Sequence, residues 1–453
     1  MDSSLRLVNP RTGQRRGHIV NSREREISAA VCAARAAQRA WGELTPKVRG
    51  QRLNALADRV EAHADVFTAS EQAGTGKPDE EAFGEVLQVA DLVRFYAWAA
   101  RSGTAPAAGQ FVDGYESWVR WEPLGVVAAV IPWNYPLLMA AWRCAPALAA
   151  GNTVLLKPAE TTSDSAELLA KHARDTLGPD IVQIVRGDRH TGKLLVESSV
   201  DAIAFTGSLT AGNDVAMRAG IKRLSLELGG NGPVIVLPDA PENTWATLAA
   251  ASTYNAGQSC AAPARVITFR ENYDHVVASL AAAMKERHAG KSFGPLNNED
   301  QLARYDRIVD ASRARTVHTS STDTQPHEQG GFWRPACVLA DLAEDDIAVT
   351  EEVFGPVLTV QHADNIEDAI RLANEQPQAL AASVWSSELA TALYLASRIN
   401  AGEVWLNCHL VQTAELPHGG RGASGNGTDL SILALHEYQR PKTITARLRP
   451  SSS

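Results

Sequence analysis

Cys260 closes the run Asn255-Ala256-Gly257-Gln258-Ser259-Cys260. A thiolate is the reactive form of cysteine and the usual nucleophile of acyl transfer. The small, flexible residues before it would let a substrate carbonyl approach closely. The same residue suits a buried structural thiol, so it gains chemical meaning only if other segments join it. Glu227 begins Glu227-Leu228-Gly229-Gly230 at a strand end and has the type and place of a general base. Alone it suits a surface carboxylate before a turn equally well. Asn134, in Pro132-Trp133-Asn134-Tyr135-Pro136, ends an apolar strand, and its amide could donate to an oxyanion there. Its plainer reading is a turn fixed by two prolines.

Two further segments suit a dinucleotide. In Lys157-Pro158-Ala159-Glu160, Lys157 and Glu160 could hold a ribose, although Glu160 could instead cap a helix starting near Thr162. Phe205-Thr206-Gly207-Ser208 leads through Gly212 into a helix, and a Gly-Ser turn at a helix start suits a pyrophosphate. Gly420-Arg421-Gly422-Ala423-Ser424-Gly425 fits G-x-G-x-x-G, but no strand precedes it, so it reads as a glycine-rich loop. The twelve histidines and five cysteines show no metal or disulfide spacing, which predicts neither.

The elements that must position these residues change character along the chain. Ile27–Trp41, Arg49–Phe67 and Glu80–Ala100 read as helices, with Thr75-Gly76-Lys77-Pro78 as a break. Phe111–Trp121 alternates around Asp113-Gly114, a hairpin signal. Short apolar runs then recur at Val126–Ile131, Thr153–Leu156, Ile181–Val185, Ala202–Phe205 and Leu224–Leu226, the first four separated by helical segments. A second set, Arg265–Phe269, Val357–Gln361, Ala382–Trp385 and Glu403–Leu406, repeats the pattern. Strands alternating with helices imply parallel, doubly wound sheets, so two α/β domains are expected with a boundary near residues 230–240. Thr316–Gln329 reads as an exposed polar loop, Thr443–Leu448 as a strand, and the terminal serines as disordered.

The 453 residues carry 43 basic against 52 acidic side chains, a net charge of −9, with no Lys/Arg run, so no nucleic-acid partner is expected. The longest apolar run, Gly125–Trp133, is too short to span a bilayer, and the N-terminus lacks a secretory h-region. A soluble cytoplasmic protein is expected.

Taken in order, Asn9-Pro10, TGKP at 75–78, PWNYP at 132–136, KPAE at 157–160, FTGS at 205–208, ELGG at 227–230, GQSC at 257–260 and EEVFGP at 351–356 resemble the aldehyde dehydrogenase superfamily over nearly the whole chain. The resemblance implies an aldehyde dehydrogenase-like α/β fold: two doubly wound α/β domains plus a hairpin and C-terminal strand that bridge subunits. The expected segments are 1–104 and 124–230 for the cofactor domain, 105–123 for the hairpin, 231–415 for the catalytic domain and 416–453 for the C-terminal loop, helix and strand. It implies NAD-dependent oxidation of an aldehyde to an acid, with NADP less favoured, in a homodimer or homotetramer. Cys260 would be the nucleophile, Glu227 the base, and Asn134 with the Cys260 N–H the oxyanion hole. Lys157 and Glu160 would hold the adenosine ribose, Gly207 and Ser208 the pyrophosphate, and Glu352 the nicotinamide ribose. Leu228, Phe354 and Trp133 would line the cofactor cleft, and Tyr135, Trp142 and Ser259 the substrate tunnel.

The sequence departs from the family pattern in a short Ala289–Pro295 segment, in Gln376–Leu380, and in the expected lack of a leading strand. None of these is expected to touch the chemistry. Trp405–His409, Leu416–Gly420 and Asp429–Ser431 look most like the aminoaldehyde branch, which makes Glu85 and Asp91 candidates for holding an amine. Alternatives are a semialdehyde dehydrogenase using Arg143, a CoA-acylating enzyme, which Glu227 disfavours, and a non-catalytic homologue.

Overall fold

The computed structural model describes residues 4–102 and 107–448, so the terminal serines fall outside the described residues. The chain opens with a hairpin, Ser4–Val8 paired with Arg15–Val20, so the leading strand expected to be missing is present. Helices Glu24–Glu43, Pro46–Ala62, Ala64–Thr75 and Asp79–Ala99 follow. The single helix expected over Arg49–Phe67 is two, because His63 leaves the helical region at φ −118°, ψ 26°. Thr45 accepts a hydrogen bond from the Val48 N–H and Pro46 sits at the first helical position, both ordinary N-terminal signals.

Two sheets position everything else. The first is five-stranded and all parallel, in the order Val182–Ile184, Thr153–Lys157, Val126–Val130, Ala202–Gly207, Arg223–Leu228. Its strand order reverses between Val126–Val130 and Ala202–Gly207, and ligands of open α/β sheets bind at the carboxyl edge of such a point. The second has seven strands in the order Arg315–Thr319, Cys337–Ala340, Val357–Ala363, Pro263–Phe269, Gly232–Val236, Ala381–Trp385, Glu403–Leu406. Only its Arg315–Thr319 edge is antiparallel. All of that edge strand but Arg315 lies inside the segment expected to be a polar loop. Its residues are exposed or half-buried, so its composition carries no apolar alternation. The sequence reading also passed over Gly232–Val236, a fully buried central strand only five residues long.

The chain leaves the first sheet at Leu228 and enters the second at Gly232. The carboxyl edge of the first sheet carries Asn134, Lys157, Ser208 and Glu227. The amino edge of the second carries Cys260 and Glu352, each a few residues before its strand, and Glu403 at a strand start. A third sheet joins Gln439–Arg447, Tyr115–Pro123 and Ala108–Val112, all antiparallel. Among the described residues no helix is long and apolar enough to cross a membrane.

Asn152 stitches this third sheet to the first. Its Oδ1 accepts from the Gly125 N–H at 2.8 Å, and its Nδ2 donates to the Ala147 and Tyr438 carbonyls, both at 2.9 Å. The two carbonyls keep other donors, from Asn152 and Leu124 backbone N–H groups. Asn152→Ala therefore orphans chiefly one buried N–H, which should lower stability by about 2 kcal/mol. The check is the denaturant midpoint at unchanged m-value; a loss below about 0.5 kcal/mol would remove Asn152 from this role.

Candidate active site

The nucleophile loop is rigid rather than flexible. Asn255, Ala256 and Gly257 take three consecutive left-handed conformations, at φ 49°, 55° and 70°. Two of the three are not glycine, and such residues cost roughly 1–2 kcal/mol each. Side-chain amides hold the turn. Asn255 Nδ2 donates to the Asn134 and Gln258 carbonyls at 2.9 and 3.2 Å. Gln258 Nε2 donates to the Asn255 and Pro295 carbonyls at 2.9 and 3.3 Å, while its Oε1 accepts from the Asn297 N–H at 2.9 Å. Gly257 has no room for a side chain, because a Cβ there would lie 2.2 Å from the Gly355 oxygen. Asn134 Nδ2 donates to the Gln258 carbonyl at 3.0 Å, so the expected oxyanion donor is tied directly to the loop that presents Cys260. One of its two amide N–H groups meets that bond, which leaves the other for a ligand.

Glu227 ends the Arg223–Leu228 strand and is 4% exposed. Neither carboxylate oxygen has a well-formed hydrogen bond. Burial pushes its pKa up to about 8, Asp429 adds to the rise, and His418, Arg143 and the Gly420 N–H oppose it. The glycine-rich loop pairs with backbone elsewhere in the chain. It lies along the strand that carries Glu227: the Leu228 N–H donates to the Ser424 carbonyl at 2.9 Å, and Gly425 bridges Glu227. A Cβ on Gly427 would sit 2.8 Å from Glu227 Oε1, so glycine there makes room for the carboxylate. Arg143 is fully buried and donates to Asp429 Oδ1 at 2.8 Å and to Thr206 Oγ1 at 2.7 Å. It does not line the substrate cavity, so it is not free to hold a substrate carboxylate.

A cavity of about 390 Å³ ends at Cys260, and Tyr135, Trp142, Ser259 and Glu85 line it. Two expectations change here. Asp91 lies exposed on the Asp79–Ala99 helix and is absent from the lining. Glu85 lines the cavity but is already engaged: Lys77 Nζ donates to it at 2.5 Å and the Tyr254 hydroxyl at 3.1 Å. The sequence reading also missed His409 and His418, both in this lining. Both lay within quoted segments, Trp405–His409 and Leu416–Gly420, but nothing in the sequence says which way they point.

The dinucleotide candidates lie outside this lining. Trp133 and Phe354 pack edge to face with centroids 5.5 Å apart. Lys157 is buried, and burial lowers its pKa; its Nζ donates to the Pro158 carbonyl at 3.1 Å and lies 3.8 Å from Glu160. Glu160 lines a cleft with Trp133. Gly207 ends a strand, and Ser208 caps the Leu209–Ala219 helix by accepting from the Ala211 N–H. A Cβ at Gly212 would strike Leu228, so that helix start packs closely on the Glu227 strand. Glu352 Oε1 accepts from the Gly230 N–H at 3.3 Å, and burial pushes its pKa up to about 8. Among the described residues no group of three or more His, Cys, Asp or Glu side chains is placed to hold a metal ion.

Both sequence departures touch this machinery after all. Pro295, at the end of the short segment, accepts from Gln258 of the nucleophile loop. Gln378–Ala379 pairs with Arg421–Gly422 of the loop beside Glu227.

This arrangement has close relatives. Retinaldehyde dehydrogenase 3 of Rattus norvegicus is 35% identical over 460 residues, covering 97% of this chain and 89% of its own. The mitochondrial aldehyde dehydrogenase of Homo sapiens is 34% identical over 467 residues, covering 98% and 89%. The crystal structure of betaine aldehyde dehydrogenase from Staphylococcus aureus in complex with NAD+ superposes with a TM-score of 0.94 at 27% identity, covering 99% of this chain and 92% of that one. A family model described as the aldehyde dehydrogenase family matches residues 1–444. With a cysteine, a buried carboxylate and an amide brought together between two α/β sheets, the chain belongs to the aldehyde dehydrogenase family.

Proposed function

We propose that this protein oxidises an aldehyde to its carboxylic acid with NAD, through a thiohemiacetal and then a thioester on Cys260. The observation that carries the reading is the direct tie of Asn134 to the Cys260 loop, with Glu227 buried, unpaired and raised to about 8 nearby. Cys260 Sγ attacks the aldehyde carbon. Asn134 and the Cys260 N–H stabilise the oxyanion, each donor typically worth ~3 kcal/mol. Glu227 takes a proton from the water that attacks the thioester, and a base near neutrality suits that task.

NAD, when bound, supplies the hydride acceptor. The residues fit it. Lys157 has spare donors and Glu160 spare acceptors for the adenosine ribose. The helix start at Ser208, with Gly207, offers N–H groups to a pyrophosphate. Glu352, Phe354, Trp133 and Leu228 would surround the nicotinamide riboside.

The substrate cavity is largely aromatic and apolar, with Tyr135, Trp142, Tyr254, Leu138 and Met139 in its walls. The ω-aminoaldehyde reading keeps only Glu85, whose charge Lys77 already neutralises. The walls therefore favour an aldehyde with an apolar body. The edge strands Ala108–Val112 and Gln439–Arg447, with Phe111 and Val112 exposed, favour a homodimer or homotetramer by strand addition. Five free cysteines suit a reducing compartment and hence the cytoplasm.

Cys260→Ala should abolish NADH formation while leaving the fold intact; retention of a tenth of turnover would discard Cys260 as nucleophile. Glu227→Gln should leave a rapid NADH burst and a slow steady state. Because the base works ionised, the wild-type steady-state rate should rise with pH up to about 8 and then level. That limb should vanish in Glu227→Gln. Burst and steady state lost equally would move Glu227 to thiol activation.

Cofactor choice is tested by kcat/KM with NAD and NADP. Glu160 should repel a 2′-phosphate, giving at least about tenfold preference for NAD, or ~1.4 kcal/mol. Glu160→Ser should shrink it; no change would remove Glu160 from the ribose site.

Substrate charge is tested with 4-aminobutanal against pentanal. Pentanal should be at least as efficient in kcat/KM. An advantage above about tenfold for the amine, erased in Glu85→Gln, would restore the aminoaldehyde reading.

A further inference from the structure

The helix Glu299–Ala311 carries no reacting group, yet three of its side chains close on the segment Glu352–Gly355. Gln301, Arg304 and Tyr305 share one face of that helix, at the i, i+3, i+4 spacing. Gln301 is buried, and its Nε2 donates to the Phe354 carbonyl at 2.7 Å and to the Val353 carbonyl at 3.2 Å. Arg304 Nη2 donates to the Glu352 carbonyl at 2.6 Å. The Tyr305 ring lies so close to Gly355 that a Cβ there would sit 2.5 Å from it. Gln301 is itself fixed by the helix cap, since its N–H donates to Asn298 Oδ1 at 2.9 Å. One helix face thus grips four successive residues.

The segment it grips is strained. Phe354 has φ 54°, in the left-handed region that a bulky residue rarely adopts. Relaxing to a negative φ would swing the ring relative to the preceding chain and break its edge-to-face contact with Trp133. The far side of the segment offers no slack, because Gly355 backs onto the nucleophile loop, where a Cβ on Gly257 would strike the Gly355 oxygen. Gln301 and Arg304 line one cleft with Trp133 and Glu160, so the grip lies in the wall of the cleft proposed for the dinucleotide.

We propose that Gln301 is a positioning residue for the cofactor: by holding the Val353 and Phe354 carbonyls it keeps the Phe354 ring set against Trp133, so that the seat for the nicotinamide ring exists before NAD binds. This rests on the reading that Phe354 packs beside the nicotinamide riboside. In this role Gln301 acts through Phe354, and no bond forms or breaks. A seat that must first be assembled takes its cost from the binding energy of the ligand. Loss of Gln301 should therefore fall on ligands that carry the nicotinamide ring and spare those that lack it.

The test compares NAD with ADP-ribose, which ends at the ribose and lacks that ring. Dissociation constants of both are measured by titration calorimetry on the full-length chain without aldehyde. Gln301→Met keeps the length of the side chain and removes its donors. It should weaken NAD by about fivefold or more while ADP-ribose stays within about twofold. Gln301→Ala should give the same pattern, and it reads the role if the methionine variant melts early. Phe354→Ala alone should lower the preference for NAD over ADP-ribose. Adding Gln301→Met to it should change the NAD constant by less than about twofold, because the ring through which Gln301 acts is gone. A loss shared equally by both ligands, no loss with either, or additive losses in the double variant would each overturn the positioning role. A Phe354→Ala variant with the wild-type preference would instead remove Phe354 from the nicotinamide site, so failure of the underlying reading is seen separately.

Discussion

Everything at this site depends on the left-handed turn at Asn255–Gly257. A chain that bends this way pays strain at two non-glycine residues, and it holds only because every amide in the turn is used. The bonds run outward as well as inward. Asn255 reaches Asn134 at the carboxyl edge of the five-stranded sheet, and Gln258 reaches Pro295 and Asn297 farther along the chain. Nucleophile and oxyanion donor therefore share one hydrogen-bond network, and neither can move alone.

Buried carboxylates anchor that network from the N-terminal helices. Glu71 accepts from the Leu137 N–H, at the start of the helix after Asn134, and Glu81 accepts from the Asn255 N–H itself. Glu85 takes the Lys77 ammonium, which also lies 4.2 Å over the Tyr135 ring. Burial pushes Glu71 and Glu81 up to about 7, Lys77 opposing the rise in both. A carboxylate with a raised folded-state pKa keeps its proton where the unfolded chain has released it. The folded state thus gains from these two groups at low pH and loses that gain as pH rises from about 4.5 to about 7. The helices of the first hundred residues are hence part of the site, although they carry none of its reacting groups.

Much was legible in the sequence because it was local. Residue type and neighbours made Cys260, Glu227 and Asn134 candidates, the order of the motifs joined them into one resemblance, and alternation around Asp113-Gly114 revealed the hairpin. Strand–helix alternation gave parallel sheets, since consecutive parallel strands need a crossover between them. The misses share a cause too. His63 ends a helix by backbone angle rather than by a breaker residue, Arg315–Thr319 is an edge strand with no buried face to mark it, and Gly232–Val236 carries Pro233 directly after a glycine-rich turn, which reads against a strand.

Tertiary structure alone decided which charges are free. Glu85 and Asp91 stand six residues apart on one helix, and only packing shows that Lys77 occupies the first and solvent surrounds the second. Arg143 reads as a substrate anchor until Asp429, 286 residues away, is seen to take its guanidinium. His409 and His418 are identical as letters, yet one is buried against the Ala261 carbonyl and the Ser383 hydroxyl while the other has the Glu403 carboxylate 3.1 Å from its ring nitrogen. Sequence supplies the chemical groups and the local turns that present them. The protonation state of each group is set by burial and by partners distant in the chain, and those exist only once the two sheets have met.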